Sequence, residues 1–508
     1  MRSIHALTAL LLTACRTGEP DQACPTPDMT DGSPRPLWHF TPPDGWMNDP
    51  AGLVWLDDTF HLFYQRDPHD VFVADTRWGH ATSHDLLGWG DQPEALVADP
   101  VLGVPFTGSA VVDDSGQLCA PGKDCLVLIF THALGEDGAQ KQSVAWSEDS
   151  GQTFTPYPGN PVLPPIDAAD FRDPNVRWHA ALSRWVMTVG VRDAVRFYTS
   201  QDLRTWTQTG AFTPTGVTPG AYECPDLFSL PAPDGAARWV LKLDVNPGLL
   251  QAGPSRYWVG DFDGASFVPQ TAADGLWADG PDLYATQTFA NVPDGRTIWL
   301  GWMSAWSYAN ATPTHGYRGQ QSAPRELSLV DTADGLRLAQ RPARELEHAV
   351  DPCPLIERAR VEVDDLTPLL DDAGPAYLLT ATVAPGPQGV AGFELVRGAN
   401  ERTAVGFDAA RGVIFLDRSA SGAVDFSSAF AGRFEQPVPG AGASVWLTVL
   451  VDRTSVEVFA DDGVAVISAS IYPTETVHGL AAFAERGPAT LQDLRVQPMG
   501  RALRGSSP

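Results

Sequence analysis

Between Trp38 and Arg344 apolar residues come in short runs broken by Asp, Gly, Pro and Asn, as in Gly52-Leu53-Val54-Trp55-Leu56, Phe60-His61-Leu62-Phe63-Tyr64 and Leu126-Val127-Leu128-Ile129-Phe130. Runs of that length bounded by turn formers predict β-strands, and nothing in the stretch sustains the period of an amphipathic helix. The fold class is therefore all-β. Within it one phrase recurs: Ser83-His84-Asp85-Leu86-Leu87-Gly88-Trp89, Ser147-Glu148-Asp149-Ser150-Gly151-Gln152-Thr153-Phe154 and Ser200-Gln201-Asp202-Leu203-Arg204-Thr205-Trp206, with a looser echo at Gly260-Asp261-Phe262-Asp263-Gly264-Ala265-Ser266-Phe267. The copies lie roughly 50–65 residues apart, the scale of one four-stranded propeller blade, and predict about five blades over residues 37–345.

After the stretch from Pro342 to Pro354 the pattern changes to longer alternating runs, such as Tyr377-Leu378-Leu379-Thr380-Ala381-Thr382-Val383 and Val445-Trp446-Leu447-Thr448-Val449-Leu450-Val451. Alternation with closely spaced turns predicts a β-sandwich, placed at residues 355–498. The chain has 508 residues, too many for one ordinary core, which agrees with two domains.

Composition narrows the class of function. A formal net charge of −28 repels phosphate backbones and argues against nucleic acid as a partner. The N-terminus has the charge, apolar run and small-residue ending of an export signal over residues 1–14. Its ending, Leu12-Thr13-Ala14-Cys15, resembles a bacterial lipobox, so Cys15 would carry a lipid and residues 15–36 would form a flexible tether at a cell surface. A plain secreted protein is the alternative.

The remaining cysteines are Cys24, Cys119, Cys125, Cys224 and Cys353, with no Cys-x-x-Cys pair and no zinc-type spacing, so neither a metal nor a cofactor is expected. Cys119 and Cys125 flank a five-residue turn and are close enough to staple a hairpin in an oxidising compartment; two free thiols are the other reading.

Three acidic phrases carry candidate chemistry: Trp46-Met47-Asn48-Asp49-Pro50, Phe171-Arg172-Asp173-Pro174-Asn175 and Glu223-Cys224-Pro225-Asp226-Leu227-Phe228. Singly, an Asp-Pro is usually a turn. In a propeller, however, one carboxylate per blade can converge on the central channel from distant parts of the chain.

Together with Phe63-Tyr64-Gln65, Trp78-Gly79-His80-Ala81-Thr82-Ser83, Phe106-Thr107-Gly108-Ser109-Ala110, Tyr284-Ala285-Thr286-Gln287-Thr288-Phe289, Gly301-Trp302-Met303-Ser304 and Pro324-Arg325-Glu326-Leu327-Ser328-Leu329, these phrases resemble the family 32 glycoside hydrolases, the invertases, inulinases and levanases. The resemblance extends to Ser455-Val456-Glu457-Val458-Phe459 and Ile471-Tyr472-Pro473. It implies a five-bladed propeller followed by a β-sandwich and a retaining exo-β-fructosidase acting on sucrose, inulin or levan. Asp49 would be the nucleophile and Glu223 the acid/base, while Asp173 would hold fructose hydroxyls. Fructose would be recognised by Asn48, Gln65, Trp78, Phe106, Thr107, Ser109, Arg172 and Trp302. Trp46, Trp55 and Trp306 are read as packing residues.

Retaining glycosidases pair an ionised carboxylate with a protonated one, which requires two environments that separate their pKa values. Asn48 can donate to an ionised Asp49, Tyr222, Cys224 and Pro225 give Glu223 a less polar setting, and Arg172 is expected to keep Asp173 charged. Two departures stand out: Ala51 replaces the polar residue usual after Asp-Pro, and Thr107 replaces the common Ser. Neither removes a proton-transfer group. Fructosyl transfer to an acceptor sugar, and a catalytically silent fructan-binding protein on a cell surface, are the competing functions; the three carboxylates speak against the second.

Overall fold

A computed structural model describes residues 35–500 apart from 115, 117, 120–124, 135–137, 169, 218–219, 247–254, 273–274 and 477. Among the described residues nearly every element is a strand, and helix is confined to short 3-10 turns such as Ala180–Leu182 and Arg344–Ala349. No described helix is long and apolar enough to cross a membrane. The export signal and Cys15 lie outside the described residues.

Up to Pro342 the described strands fall into five successive sheets. Their first strands are Gly45–Leu56, Val104–Asp113, Phe171–His179, Ala221–Pro231 and Tyr284–Thr288, each followed by antiparallel neighbours in chain order. Each first strand packs against the first strand of the next sheet, and Tyr284–Thr288 packs back against Gly45–Leu56. The ring is stitched where it meets: Trp55 donates its amide to Ala290 O at 2.9 Å, and Ala290 donates to Leu53 O at 2.9 Å. An inner strand in such a ring is enclosed on both faces, which is why Gly45–Leu56 is buried at almost every position instead of alternating.

The recurring Ser-x-Asp phrase has a local cause. Ser83, Ser147 and Ser200 each end the third strand of a sheet, and each hydroxyl donates to the Asp two residues on, at 3.0, 2.7 and 3.1 Å. The Asp then caps the amides of the turn, for example Leu87 at 3.0 Å and Arg204 at 3.0 Å. Such short polar side chains supply turn hydrogen bonds that the backbone has lost on leaving the sheet. Trp89 and Trp206 close the first and third copies alike, each donating its indole N–H at 3.1 Å to the carbonyl of a left-handed leucine, Leu86 or Leu203.

Beyond Ile356 the described strands form two six-stranded sheets around one apolar core. Tyr377–Pro385 buries every second residue, among them Tyr377, Leu379, Ala381 and Val383, which face Phe393, Val405 and Phe407 of the other sheet. The stretch between the halves is not free: Leu346 and Ala349 of the intervening 3-10 turn sit in a core shared by Leu62, Tyr64, Leu450 and Phe459. Of the stretch read as a tether, only Arg35 and Pro36 are described, and Arg35 is docked, donating to Thr41 Oγ1 at 2.9 Å with its guanidinium 4.0 Å above the Tyr317 ring. Cys119 and Cys125 are joined as a disulfide, and Cys224 is a free, buried thiol.

Candidate active site

The residues that matter sit where the inner strands break register. The ladder slips between Met47 and Pro50, beside Asp49; between Arg172 and Asn175, at Asp173; between Glu223 and Asp226; and between Tyr284 and Gln287. A bulge re-aims side chains at the cost of a strained residue. Asp173 (φ 62°), Cys224 (φ 48°) and Ala285 (φ 53°) are those left-handed residues. The prolines after Asp49, Asp173 and Cys224 have no N–H to satisfy, which suits them to a bulge. The Asp-Pro pairs that taken singly suggest turns are therefore bulges within the innermost strands.

Three carboxyl groups from three sheets consequently share one cleft of about 440 Å³. Asp49, Asp173 and Glu223 line it together with Asn48, Gln65, Phe106, Thr107, Arg172, Asp170, Asn246 and Trp306. Each carboxylate is held from several sides. Trp46 Nε1 donates to Asn48 Oδ1 at 2.7 Å, which turns the Asn48 amide to donate to Asp49 Oδ1 at 3.0 Å. Thr107 Oγ1 donates to Asp49 Oδ2 at 2.7 Å, so the Ser-to-Thr departure keeps its hydroxyl. Arg172 reaches Glu223 Oε1 at 2.5 Å and Asp170 Oδ1 at 2.7 Å, while Tyr284 Oη and Asn246 Nδ2 (3.3 Å) donate to Glu223 Oε2. Cys224 joins the other two acids: its amide donates to Asp173 Oδ2 at 3.0 Å and its thiol lies 3.5 Å from Asp49 Oδ2.

Burial pushes Asp173 up to about 7; Arg172 opposes this, and the nearby Glu223 and Asp49 add to it. The expectation that Arg172 would keep Asp173 charged fails because the guanidinium makes its hydrogen bonds to Glu223 and Asp170, and burial among like charges outweighs what Coulomb attraction is left. Burial also raises Asp49, against the donors Thr107 and Asn48. The Cys224 thiol is driven well above its usual range by burial and the Asp173 and Asp49 charges, so it acts here as a neutral donor.

Trp78, Ser109 and Trp302 stand behind this lining. Trp78 is fully buried and its Nε1 donates to Phe106 O at 3.1 Å. Ser109 ties the Asp173 bulge, donating to Pro174 O at 2.9 Å and accepting from Val176 N at 3.0 Å. Trp302 packs between Trp46, Tyr284 and Trp306. Trp46 and Trp55 pack as expected from sequence, the latter against Phe60 at 4.4 Å, but Trp306 lines the cleft with its ring stacked near Trp46. Sequence reasoning missed Asp170, Asn246 and the role of Tyr284. Asp170 and Asn246 carry no motif, and Tyr284 was visible only as the start of a matched phrase. Among the described residues no group of His, Cys, Asp and Glu is arranged to hold a metal ion.

Buried carboxyl groups brought from separate sheets into a sugar-sized cleft, flanked by amide donors and an indole, are the equipment of a glycoside hydrolase. The chain belongs to the glycosyl hydrolases of family 32: the family's N-terminal domain matches residues 39–342 and its C-terminal domain residues 355–498. It is 39% identical to a levanase of Bacillus subtilis over 93% of this chain and 71% of that protein. It is 34% identical to the extracellular exo-inulinase of Aspergillus niger over 91% of this chain and 93% of the relative. The crystal structure of exo-inulinase from Aspergillus awamori superposes with a TM-score of 0.85 at 30% identity, covering 93% of this chain and 99% of that one.

Proposed function

We propose that this protein is a retaining exo-β-fructosidase that hydrolyses terminal β-D-fructofuranosyl residues from sucrose, inulin or levan. The observation that carries the reading is that Asp49 and Glu223 line one cleft from different sheets, with Asp173 linked to both acids' surroundings through Cys224. In the first step the Asp49 carboxylate attacks C2 of fructose while Glu223 gives its proton to the departing oxygen, leaving fructose esterified to Asp49. In the second, Glu223 takes a proton from water as that water attacks C2, and Asp49 leaves as carboxylate. Asp173, pushed up to about 7 by burial and the adjacent acids, is poised to exchange hydrogen bonds with ring hydroxyls as positive charge develops at C2. Asn48, Gln65, Phe106, Thr107 and Arg172 would touch the sugar directly, and Trp78, Ser109 and Trp302 would act by holding their neighbours in place.

The ring of five sheets supports a closed five-bladed propeller over 37–345, and the two six-stranded sheets around one core support a β-sandwich over 355–498. The relative named an extracellular exo-inulinase supports export of this chain. Lipid attachment at Cys15 rests on the sequence of the first residues and is tested by the mass of the mature N-terminal peptide. The functional reading is tested by fructose release from sucrose, inulin and levan by the wild type beside Asp49→Ala and Glu223→Ala. Loss in both variants with the fold intact supports it, and variants that still cleave would reassign the pair.

A further inference from the structure

One fully buried ion pair behind the cleft takes no part in the steps above. Lys242 and Asp244 lie on Ala237–Asn246, the second strand of the fourth sheet, two residues apart and so on one face. An ammonium offers three donors and no acceptor. All three find oxygen: Lys242 Nζ pairs with Asp244 Oδ2, donates to Thr286 O at 3.0 Å and reaches Cys224 O at 3.4 Å. Asp244 is fixed in turn by the Ser255 hydroxyl.

The two carbonyls belong to different sheets, and each sits at a bulge of the active site. Cys224 (φ 48°) directly follows Glu223. Ala285 (φ 53°) separates Thr286 from Tyr284, whose hydroxyl donates to Glu223. Left-handed residues other than glycine persist only where their surroundings hold them. A buried cation with no exit to water is a costly way to fill two carbonyls, and a buried ion pair is weak evidence of added stability, so the geometry it imposes is what calls for explanation.

We infer that Lys242 is a positioning residue for leaving-group protonation: its ammonium ties the Cys224 and Thr286 carbonyls together and so holds Glu223 and Tyr284 in register with one another. The inference rests on the assignment of Glu223 as the acid. A clamp of this kind predicts a defect confined to steps that need the acid, whereas a merely structural lysine predicts a defect common to all substrates.

The test is kcat/KM, which reports only the steps up to departure of the leaving group, measured on sucrose and on β-D-fructofuranosyl fluoride, whose leaving group needs little protonation. Lys242→Met combined with Asp244→Asn removes both charges without stranding a buried carboxylate; Lys242→Gln with Asp244→Asn keeps an amide donor and serves as the second, gentler variant. In folded protein the Met double should lose about 10- to 100-fold on sucrose but no more than about threefold on the fluoride, and the Gln double should recover part of the sucrose loss. Equal losses on both substrates, or an unchanged value on sucrose, would overturn the clamp. If the Met double does not fold, the Gln double must show the same split by itself, and an equal loss there is equally fatal. Glu223→Ala run alongside separates the two ideas: if it shows no split, the acid assignment fails, whatever Lys242 does.

Discussion

The cleft and the junction between the two halves of the chain use the same residue types in opposite ways. Among the described residues that line the cleft, Asp49, Asp170, Asp173 and Glu223 share a single cation, Arg172, and burial pushes Asp173 up to about 7. At the junction the buried acids are matched. Arg325 donates to Asp279 Oδ2 at 2.7 Å and pairs with Glu457, His39 bridges Asp452 (2.9 Å) and Glu457 (2.8 Å), and Arg418 pairs with Asp282. Burial alone would raise Glu457, yet Arg325 and His39 bring it down to about 2. Asp279 and Asp282, each facing one arginine, are still raised by burial. Pairing outweighs burial where two cationic partners converge, as on Glu457, whereas the crowded acids of the cleft raise one another further.

The largest effects should separate the two regions cleanly. Asp49→Ala is expected to lower kcat for fructose release on the order of 10⁵-fold, with an unchanged melting temperature, because it removes one of several mutually repelling acids. Arg325→Met should do the reverse. Removing one partner of a buried network leaves Asp279 without its cation and Glu457 with His39 alone, and should cost about 3–5 kcal/mol of stability, read by denaturant titration, while kcat per folded molecule at low temperature stays near wild type. An Asp49 variant that unfolds, or an Arg325 variant that loses kcat while folded, would erase the distinction.

A finer test lies in the sign of pH dependence. The folded-state pKa of Asp173 is raised above its ordinary value, so between pH 4 and 7 the folded chain binds the proton that the unfolded chain has already released. Stability contributed at this site therefore falls as pH rises from about 4 to about 7 and stays low above that. Asp173→Asn should lose activity but gain stability over wild type, on the order of a few kcal/mol at pH 8 and close to nothing at pH 4. A pH-independent difference would mean that Asp173 is not perturbed in the way its surroundings demand.

How much of this was legible in the sequence follows from the distance over which each feature acts. The strands, the Ser-x-Asp turns and the change of pattern after Pro354 are local and could be read directly. Asp49, Asp173 and Glu223 could be picked out because their short phrases, taken together with the other matched stretches, resemble one family; an Asp-Pro alone reads as a turn. What their side chains meet could not: Glu223 finds Tyr284 and Asn246, not the less polar neighbours its own phrase offered. The junction was hidden altogether, since Arg325 and Glu457 are 132 positions apart, and His39 and Asp452 are 413 apart. Lys242 was silent for the same reason, because a lysine in a strand pattern reads as a solvent-facing residue until the fold places carbonyls around it.

His39 offers the smallest and most diagnostic effect. Burial alone would lower its pKa, but the side chains of Asp452 and Glu457 lift it to about 8. The segment carrying it is sewn down as well, with the amides of Leu37, Trp38 and His39 all donating to the Asp452 carboxylate. Because the folded pKa is raised above the ordinary 6.5, the stability His39 supplies is fully present below pH 6.5 and is lost as pH climbs through about 8, a span worth about 2 kcal/mol. Wild type should thus weaken across that window, and His39→Gln, though less stable at pH 6, should weaken less, so that the two denaturation curves converge by pH 9. This slope runs in the same direction as that of Asp173 but in a higher window and from the opposite cause, a matched site losing its cation instead of an unmatched site gaining an anion. Parallel pH profiles for wild type and His39→Gln would show that His39 keeps its ordinary pKa in the folded protein, and Glu457 would then owe its lowering to Arg325 and not to a charged imidazole.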